Sequence, residues 1–260
     1  MKRDISNQTD NPCLKRTSIR EFSLVQSHYS SIYCSRGLEY EELISYEDYA
    51  GNLLRTLLQL VGEQSDGPLK RKVAADLGCG TGRLSRLLSS HLGFIFGFDA
   101  EPHMVAIAQK LTPVPNVCYA VSEHARIPLA SQSTDLVVEG WAFLHTVSSR
   151  PDTWRSILAK YLDEVSRVLR PGGMIVLVET LGTGHKEPTP TEKQRQFSDW
   201  LMQEHDFKHT SIRTDYEFPS IPDAIRICSS FFKEEVLERV RACESSVVPE
   251  CTGIWCRVKQ

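Results

Sequence analysis

A chain of 260 residues, 41% of them hydrophobic and 24% charged, has the apolar content for one globular α/β domain with insertions, or at most two small domains. Its formal charge of -3 supplies no general attraction for nucleic acid, and the basic triplet Lys70-Arg71-Lys72 reads as a solvated helix-to-strand turn. No apolar run approaches the roughly 20 residues needed to span a bilayer; Met1 to Asn11 lacks an apolar signal core, and the eight cysteines form neither a C-x-x-C pair nor a Cys/His metal spacing, so the expectation is a cytoplasmic chain with no metal centre.

In chain order, Thr17 to Gly62 is helical in pattern and rich in tyrosine (Tyr29, Tyr33, Tyr40, Tyr46, Tyr49), and the polar stretch Gly62 to Pro68 follows it. The expectation is a helical cap over 1–67 ahead of a main domain over 68–260. From Val73 the apolar runs Val73–Leu77, Phe94–Phe98, Val117–Val121, Leu136–Glu139 and Met174–Thr180 read as strands. Helical patterns at Gly82–His91, Pro102–Leu111 and Trp154–Leu169 separate them. This alternation predicts an α/β fold, a Rossmann-like, doubly wound and mostly parallel sheet with helices on both faces. Arg170-Pro171-Gly172-Gly173 reads as a helix stop and tight turn. Helical insertions at about 183–207 and 221–245 then flank the β-like stretch Lys208–Phe218, and a last strand at Gly253–Val258 closes the sheet in antiparallel fashion.

The chemistry is concentrated first in Asp76-Leu77-Gly78-Cys79-Gly80-Thr81-Gly82, where a strand turns sharply into a helix through three alternating glycines. Such a turn presents backbone N–H groups and a positive dipole end to a ligand. The dinucleotide fingerprint G-x-G-x-x-G requires glycine where this chain has Arg83, and Asp76 would repel a pyrophosphate but suit a cationic amino-acid group.

"VAADLGCGTGRLSRLL", "GFIFGFDAEPHMVAIAQ", "SEHARIPLASQSTDLVV" and "VSRVLRPGGMIVLVET" resemble, in order, the successive motifs of class I S-adenosylmethionine-dependent methyltransferases. The flanking "HYSSIY", "YEDYAGNLLRTL" and "PECTGIWCRVK" resemble the type 11, UbiE-like small-molecule methyltransferases. The resemblance implies S-adenosylmethionine as cofactor and in-line methyl transfer to a small-molecule acceptor, while the charge and the short apolar runs set the expectation of neither nucleic acid nor membrane as partner. It implies that Gly78, Cys79, Gly80, Thr81 and Gly82 pack along the methionine portion, with Asp76 near its ammonium. Asp99 would take the ribose diol while capping the helix that begins at Glu101-Pro102. Ala100 and Met104 would flank the adenine, Glu123 and His124 would reach its amino group, and Glu139 and Gly140 would run along the cofactor.

Beyond the fourth strand, Trp141 and His145 would face the acceptor, and Tyr29 and Tyr33, one helical turn apart, would form an aromatic wall. His145 reads either as a general base or as a histidine hydrogen-bonded within a helix N-terminus. Phe197, Trp200 and Phe231-Phe232 read as amphipathic packing or as acceptor lining. The Asn/Asp-Pro-Pro-Tyr/Phe tetrapeptide of enzymes that methylate the amino nitrogens of adenine, cytosine or glutamine is absent from this segment. Two other classes stay open: a non-catalytic module that binds the cofactor or a partner on the same fold, and a nicotinamide-dependent oxidoreductase.

Overall fold

The computed structural model describes residues 36–64 and 67–260. Two helices, α1 (Gly37–Ser45) and α2 (Asn52–Glu63), precede the sheet. The helical pattern read across this region is broken at 46–51, because the Asp48 carboxylate accepts from the backbone N–H groups of Asn52 and Leu53 at 2.8 and 2.9 Å and so starts α2 anew. Leu53, Leu57 and Val61 recur every fourth residue and form the buried stripe of α2.

The apolar runs become β1 (Val73–Leu77), β2 (Phe94–Asp99), β3 (Val117–Val121), β4 (Thr134–Gly140) and β5 (Leu169–Thr183). Between them run α3 (Arg83–Ser89), α4 (Pro102–Leu111), α5 (Phe143–Ser149) and α6 (Trp154–Val168). After β5 come α7 (Glu192–Glu204), β6 (Lys208–Arg213), β7 (Tyr216–Glu217), α8 (Ile221–Ser229), α9 (Glu234–Ala242), β8 (Val247–Val248) and β9 (Glu250–Val258). The strand order of the main sheet is β3-β2-β1-β4-β5-β9-β6. The first five strands are parallel, and β9 pairs antiparallel with both β5 and β6.

Strand β5 begins earlier than the apolar run suggests. The stretch from Arg170 to Gly173 is drawn into it, with Gly172 at φ +75°, because the Gly172 N–H donates to Lys259 O and the Lys259 N–H donates to Gly173 O. The short helix α5 has no counterpart among the expected elements, and the last strand starts at Glu250 rather than Gly253.

Side-chain alternation builds one core on each face of the sheet. Ala75, Leu77, Val137, Ile175 and Leu177 pack with Leu158 and Leu162 of α6 and Phe197 and Trp200 of α7. Ala74, Leu136, Val138, Val176 and Val178 pack with α2 and with Leu84 and Leu88 of α3. A third cluster joins Leu43 of α1 to Tyr216, Ile227, Phe231 and Leu237 around α8 and α9. The two segments flanking the sheet in sequence therefore meet, while α2 belongs to the sheet's own core.

Leu77 is in register with Phe98 on one side and Glu139 on the other, so the carboxyl ends of β1, β2 and β4 are level. The loops that follow, 78–82, 99–101 and 140–142, gather there. Strand order reverses at β1, and in open α/β sheets this switch point is where ligands bind.

Candidate cofactor and acceptor site

The glycine loop is tied to β2 by two bonds, and Asp99 accepts a third from the loop that follows it. Cys79 N–H donates to Phe98 O at 2.9 Å, Gly80 N–H donates to one Asp99 carboxylate oxygen at 2.8 Å, and Glu101 N–H donates to the other at 2.8 Å. Asp99 thus orients the loop and the start of α4 together. Gly78, Gly80 and Gly82 all have positive φ, but their surroundings differ. A Cβ on Gly78 would lie 2.5 Å from Ala142 Cβ, and one on Gly82 would lie 2.4 Å from the Tyr119 hydroxyl. On Gly80 it would meet nothing nearer than Met104 Cε at 3.6 Å and Tyr40 Cε1 at 3.8 Å. Gly80 is the glycine that faces open space.

Asp76, almost wholly buried beneath the loop, accepts from the Ser85 N–H at 2.9 Å and the Ser85 hydroxyl at 2.6 Å. Burial pushes its carboxyl up to about 6 against the pull of those two donors. Asp76, Gly78, Cys79, Gly80, Thr81 and Gly140 line one small cavity. Asp99, Ala100, His124, Gly140, Trp141 and His145 line an adjoining one of about 140 Å³.

Four residues expected along the cofactor lie outside both linings. Gly82 is the N-terminal flank of α3 and packs on Tyr119. Met104 is buried beside Gly80. Glu123 is exposed, and the neighbouring His124, packed against Phe143 and Tyr161, takes the cavity position. Glu139 is turned inward, because alternation along β4 puts it on the face covered by α5 and α6. There its Oε1 accepts from the backbone N–H groups of Ala142 and Phe143 at 2.6 and 2.8 Å, which anchors the start of α5. Tyr29 and Tyr33 lie outside the described residues.

The Glu139 Oε2 atom is buried without a hydrogen-bond partner. Burial, with the Asp76 charge, pushes Glu139 up to about 8 from an ordinary 4.5 against the pull of the Phe143 and Ala142 amides, and burial with the Glu139 charge lifts Glu179 well above its usual range. The folded chain therefore binds more protons than the unfolded chain between those values, and stability falls as pH rises from about 4.5 through about 8. Glu139→Gln keeps the acceptor for the two amides and removes the titration. Melting temperatures of wild type and variant across pH 5 to 9 are expected to converge at the acid end and separate at the alkaline end, with the variant higher by a few degrees.

Tyr40 of α1 reaches the glycine loop from above and borders both cavities, a position that its place among five tyrosines did not mark. Arg83, legible in the sequence only as a departure from the dinucleotide pattern, forms a buried ion pair with Glu47 at 2.5 Å and stacks on Trp141, 4.6 Å from the ring centroid. Trp141 itself has φ +57°. His145 sits between the Asp99 cavity and a third cavity of about 130 Å³ bounded by Glu179, Glu250, Tyr216 and Phe231-Phe232. A hydrogen bond to the Trp141 carbonyl holds its ring, and burial pushes its pKa down to about 4. Phe197 and Trp200 are core residues, packed on Trp255 and Trp154.

Residues 75–177 match the family model described as a methyltransferase domain, and they contribute the parallel strands of the Rossmann-like sheet. The chain is similar to the malonyl-[acyl-carrier protein] O-methyltransferase of Marinomonas sp., 30% identical over 144 residues that cover 54% of this chain and 47% of that one. It is similar to the 2-phytyl-1,4-naphtoquinone methyltransferase of Thermosynechococcus vestitus, 26% identical over 180 residues that cover 65% and 73%. The chain spans about half the length of the malonyl-carrier relatives from Marinomonas and Yersinia pestis. A solved structure of a SAM dependent methyltransferase from Aquifex aeolicus shares the fold with a TM-score of 0.51 at 16% identity, covering 85% of this chain and 95% of that one. Among the described residues no helix is long and apolar enough to cross a membrane.

Proposed function

We propose that the chain is an enzyme that transfers the methyl group of S-adenosylmethionine to a small-molecule acceptor in the cytoplasm. The observation that carries this reading is the convergence of three loops, 78–82, 99–101 and 140–142, at the switch point of the sheet, with two carboxylates and an open glycine among them. The donor set fits the cofactor. Gly80 leaves a cradle that a side chain would fill, Asp76 offers a negative charge to an ammonium group, and Asp99, already fixed by two backbone donors, retains lone pairs for a sugar diol.

In this reading the backbone of Gly78, Cys79, Gly80 and Thr81 holds the methionine portion, Asp99 holds the ribose, and Ala100 and His124 border the base. When bound, the cofactor supplies an already activated methyl group on a sulfonium. What remains for this chain is to hold the acceptor in line and exclude water. Tyr40, Trp141 and the cluster that joins α1 to α8 and α9 form the cover, the working part of a cap over the domain of residues 68–260. The six described cysteines, all unpaired, accord with a reducing compartment. An enclosed chamber and the formal charge of -3 favour a small acceptor over nucleic acid.

The test is mass spectrometry for co-purified cofactor, followed by a screen for S-adenosylhomocysteine release across metabolite pools. Release with a defined pool supports the enzyme. Binding of S-adenosylhomocysteine without release in any pool would support a non-catalytic module instead. A histidine titrating near 4 is a weak base at neutral pH, so His145→Ala is expected to lower turnover by less than about tenfold, whereas loss of a general base costs roughly 10²-fold or more. The same variant should leave the pH profile of kcat/KM between 6 and 8 unchanged in shape.

A further inference from the structure

We infer that the acceptor is a protonated alkyl- or arylalkylamine, held in the third cavity by the Glu250 carboxylate among aromatic rings and methylated on its nitrogen. This rests on the methyltransferase reading above and names the substrate class of that site. Glu250 opens β9 at the floor of the cavity and is 1% exposed. Its Oε1 accepts from the Thr180 hydroxyl at 2.6 Å, while Oε2 is buried with no hydrogen-bond partner. A buried, half-satisfied carboxylate is costly, and the folds that keep one commonly reserve it for a ligand or a proton. Glu47 and Glu179 border the same cavity, and among the described residues no lysine or arginine lines it. Arg83, the cation nearest Glu47, is committed to that carboxylate and to the Trp141 ring.

Five rings, Tyr40, Trp141, Tyr216, Phe231 and Phe232, line the cavity beside aliphatic and threonine side chains. Ring faces and an unpaired carboxylate together suit an ammonium group, through cation–π attraction and a charge-assisted hydrogen bond. A carboxylate or phosphate acceptor would face three acidic side chains, and a neutral phenol would leave Glu250 unanswered. Burial and the Glu47 charge push the Glu250 carboxyl up to about 8, so on its own it is largely protonated at neutral pH; an ammonium entering beside Oε2 favours the ionised form, which can then accept an N–H proton. On transfer the ammonium gives one N–H proton to Glu250, and the freed lone pair forms the N–C bond as the sulfonium C–S bond breaks. The products are the methylated ammonium, S-adenosylhomocysteine and one proton that Glu250 passes on to water. This nitrogen is basic and tetrahedral, unlike the planar amino groups served by the tetrapeptide that the chain lacks.

The experiment is calorimetry on the full chain saturated with S-adenosylhomocysteine, with benzylamine, 2-phenylethylamine and n-hexylamine as probes against the matching alcohols and phenylacetate. At least one amine is expected to bind tenfold or more tighter than its alcohol. Glu250→Gln, which keeps shape and removes charge, is expected to erase that preference while changing S-adenosylhomocysteine affinity less than twofold. Alcohols or phenylacetate binding as well as the amines, no amine binding at all, or an amine preference that survives in Glu250→Gln would overturn the inference and leave the methyltransferase reading standing. Failure of S-adenosylhomocysteine itself to bind the wild-type chain would overturn that reading first, and the inference with it.

Discussion

Gly80→Arg is expected to weaken S-adenosylhomocysteine binding by at least about 100-fold while the protein still melts cooperatively. At φ +53° any side chain is strained, at a cost on the order of 1–3 kcal/mol, which a domain of this size tolerates. The larger effect is steric. The space above Gly80 is open to 3.6 Å, enough for a methyl group, but a guanidinium chain placed there occupies the cradle between Met104 and Tyr40. Gly80→Ala is the matched control, with the same strain and little added volume, and its affinity should fall less than about tenfold. Gly78→Ala should behave differently, since its Cβ would strike Ala142 at 2.5 Å and displace the turn after β4. Calorimetry with a thermal melt of each variant separates these effects, and wild-type affinity in Gly80→Arg would place the ligand elsewhere.

Arg83→Ala is expected to cost about 3–5 kcal/mol of stability, because it strands the Glu47 carboxylate in a buried setting after removing its cation. For a chain of this length that corresponds to a fall in melting temperature of roughly 10 °C. Glu47 also accepts from the Thr214 hydroxyl at 3.1 Å, and its backbone bridges to Tyr216, so the lost charge pair loosens the junction between the segment after α1 and the strand β7. Trp141 loses the guanidinium stacked on its ring at the same time. The double variant Arg83→Leu with Glu47→Leu should recover more than half of the lost stability, since it removes the stranded charge along with the pair. A double variant no more stable than Arg83→Ala would show that Arg83 acts through Trp141 rather than through Glu47.

The middle of the parallel sheet is readable because its strands are buried on both faces and therefore carry unbroken apolar runs, as in Leu136–Val138 and Met174–Val178. The position proposed for the methyl donor is readable for a local reason: Asp76, the glycines and Asp99 lie at strand ends, and strand ends in a parallel sheet share one edge. Glu139 shows where such reading stops. It also follows a strand, but it shares a face with Val137, as Glu179 shares one with Ile175 and Leu177, and that alternation is the signal that would have turned it inward. Placing Tyr40 at the glycine loop needed the packing of α1 on α8, which a tyrosine count does not contain.

The chamber proposed for the acceptor was the least legible part. Its walls come from α1, the turn after β4, α5, β5, β7, the turn after α8 and β9, segments separated by up to some two hundred residues, so no spacing in the sequence records their meeting. Glu250 is the clearest case, since in sequence it is one acid ahead of an apolar strand. Only the register of β9 against β5, which sets Glu250 opposite Thr183, puts it beside the Thr180 hydroxyl and under the cavity.

Competition calorimetry on the purified full chain tests the central claim most directly. S-adenosylhomocysteine should bind with one-to-one stoichiometry at the switch point, be displaced by S-adenosylmethionine, and lose its site in Gly80→Arg. NADH that binds tightly and is not displaced by S-adenosylhomocysteine would contradict the assignment of this edge to a methyl donor.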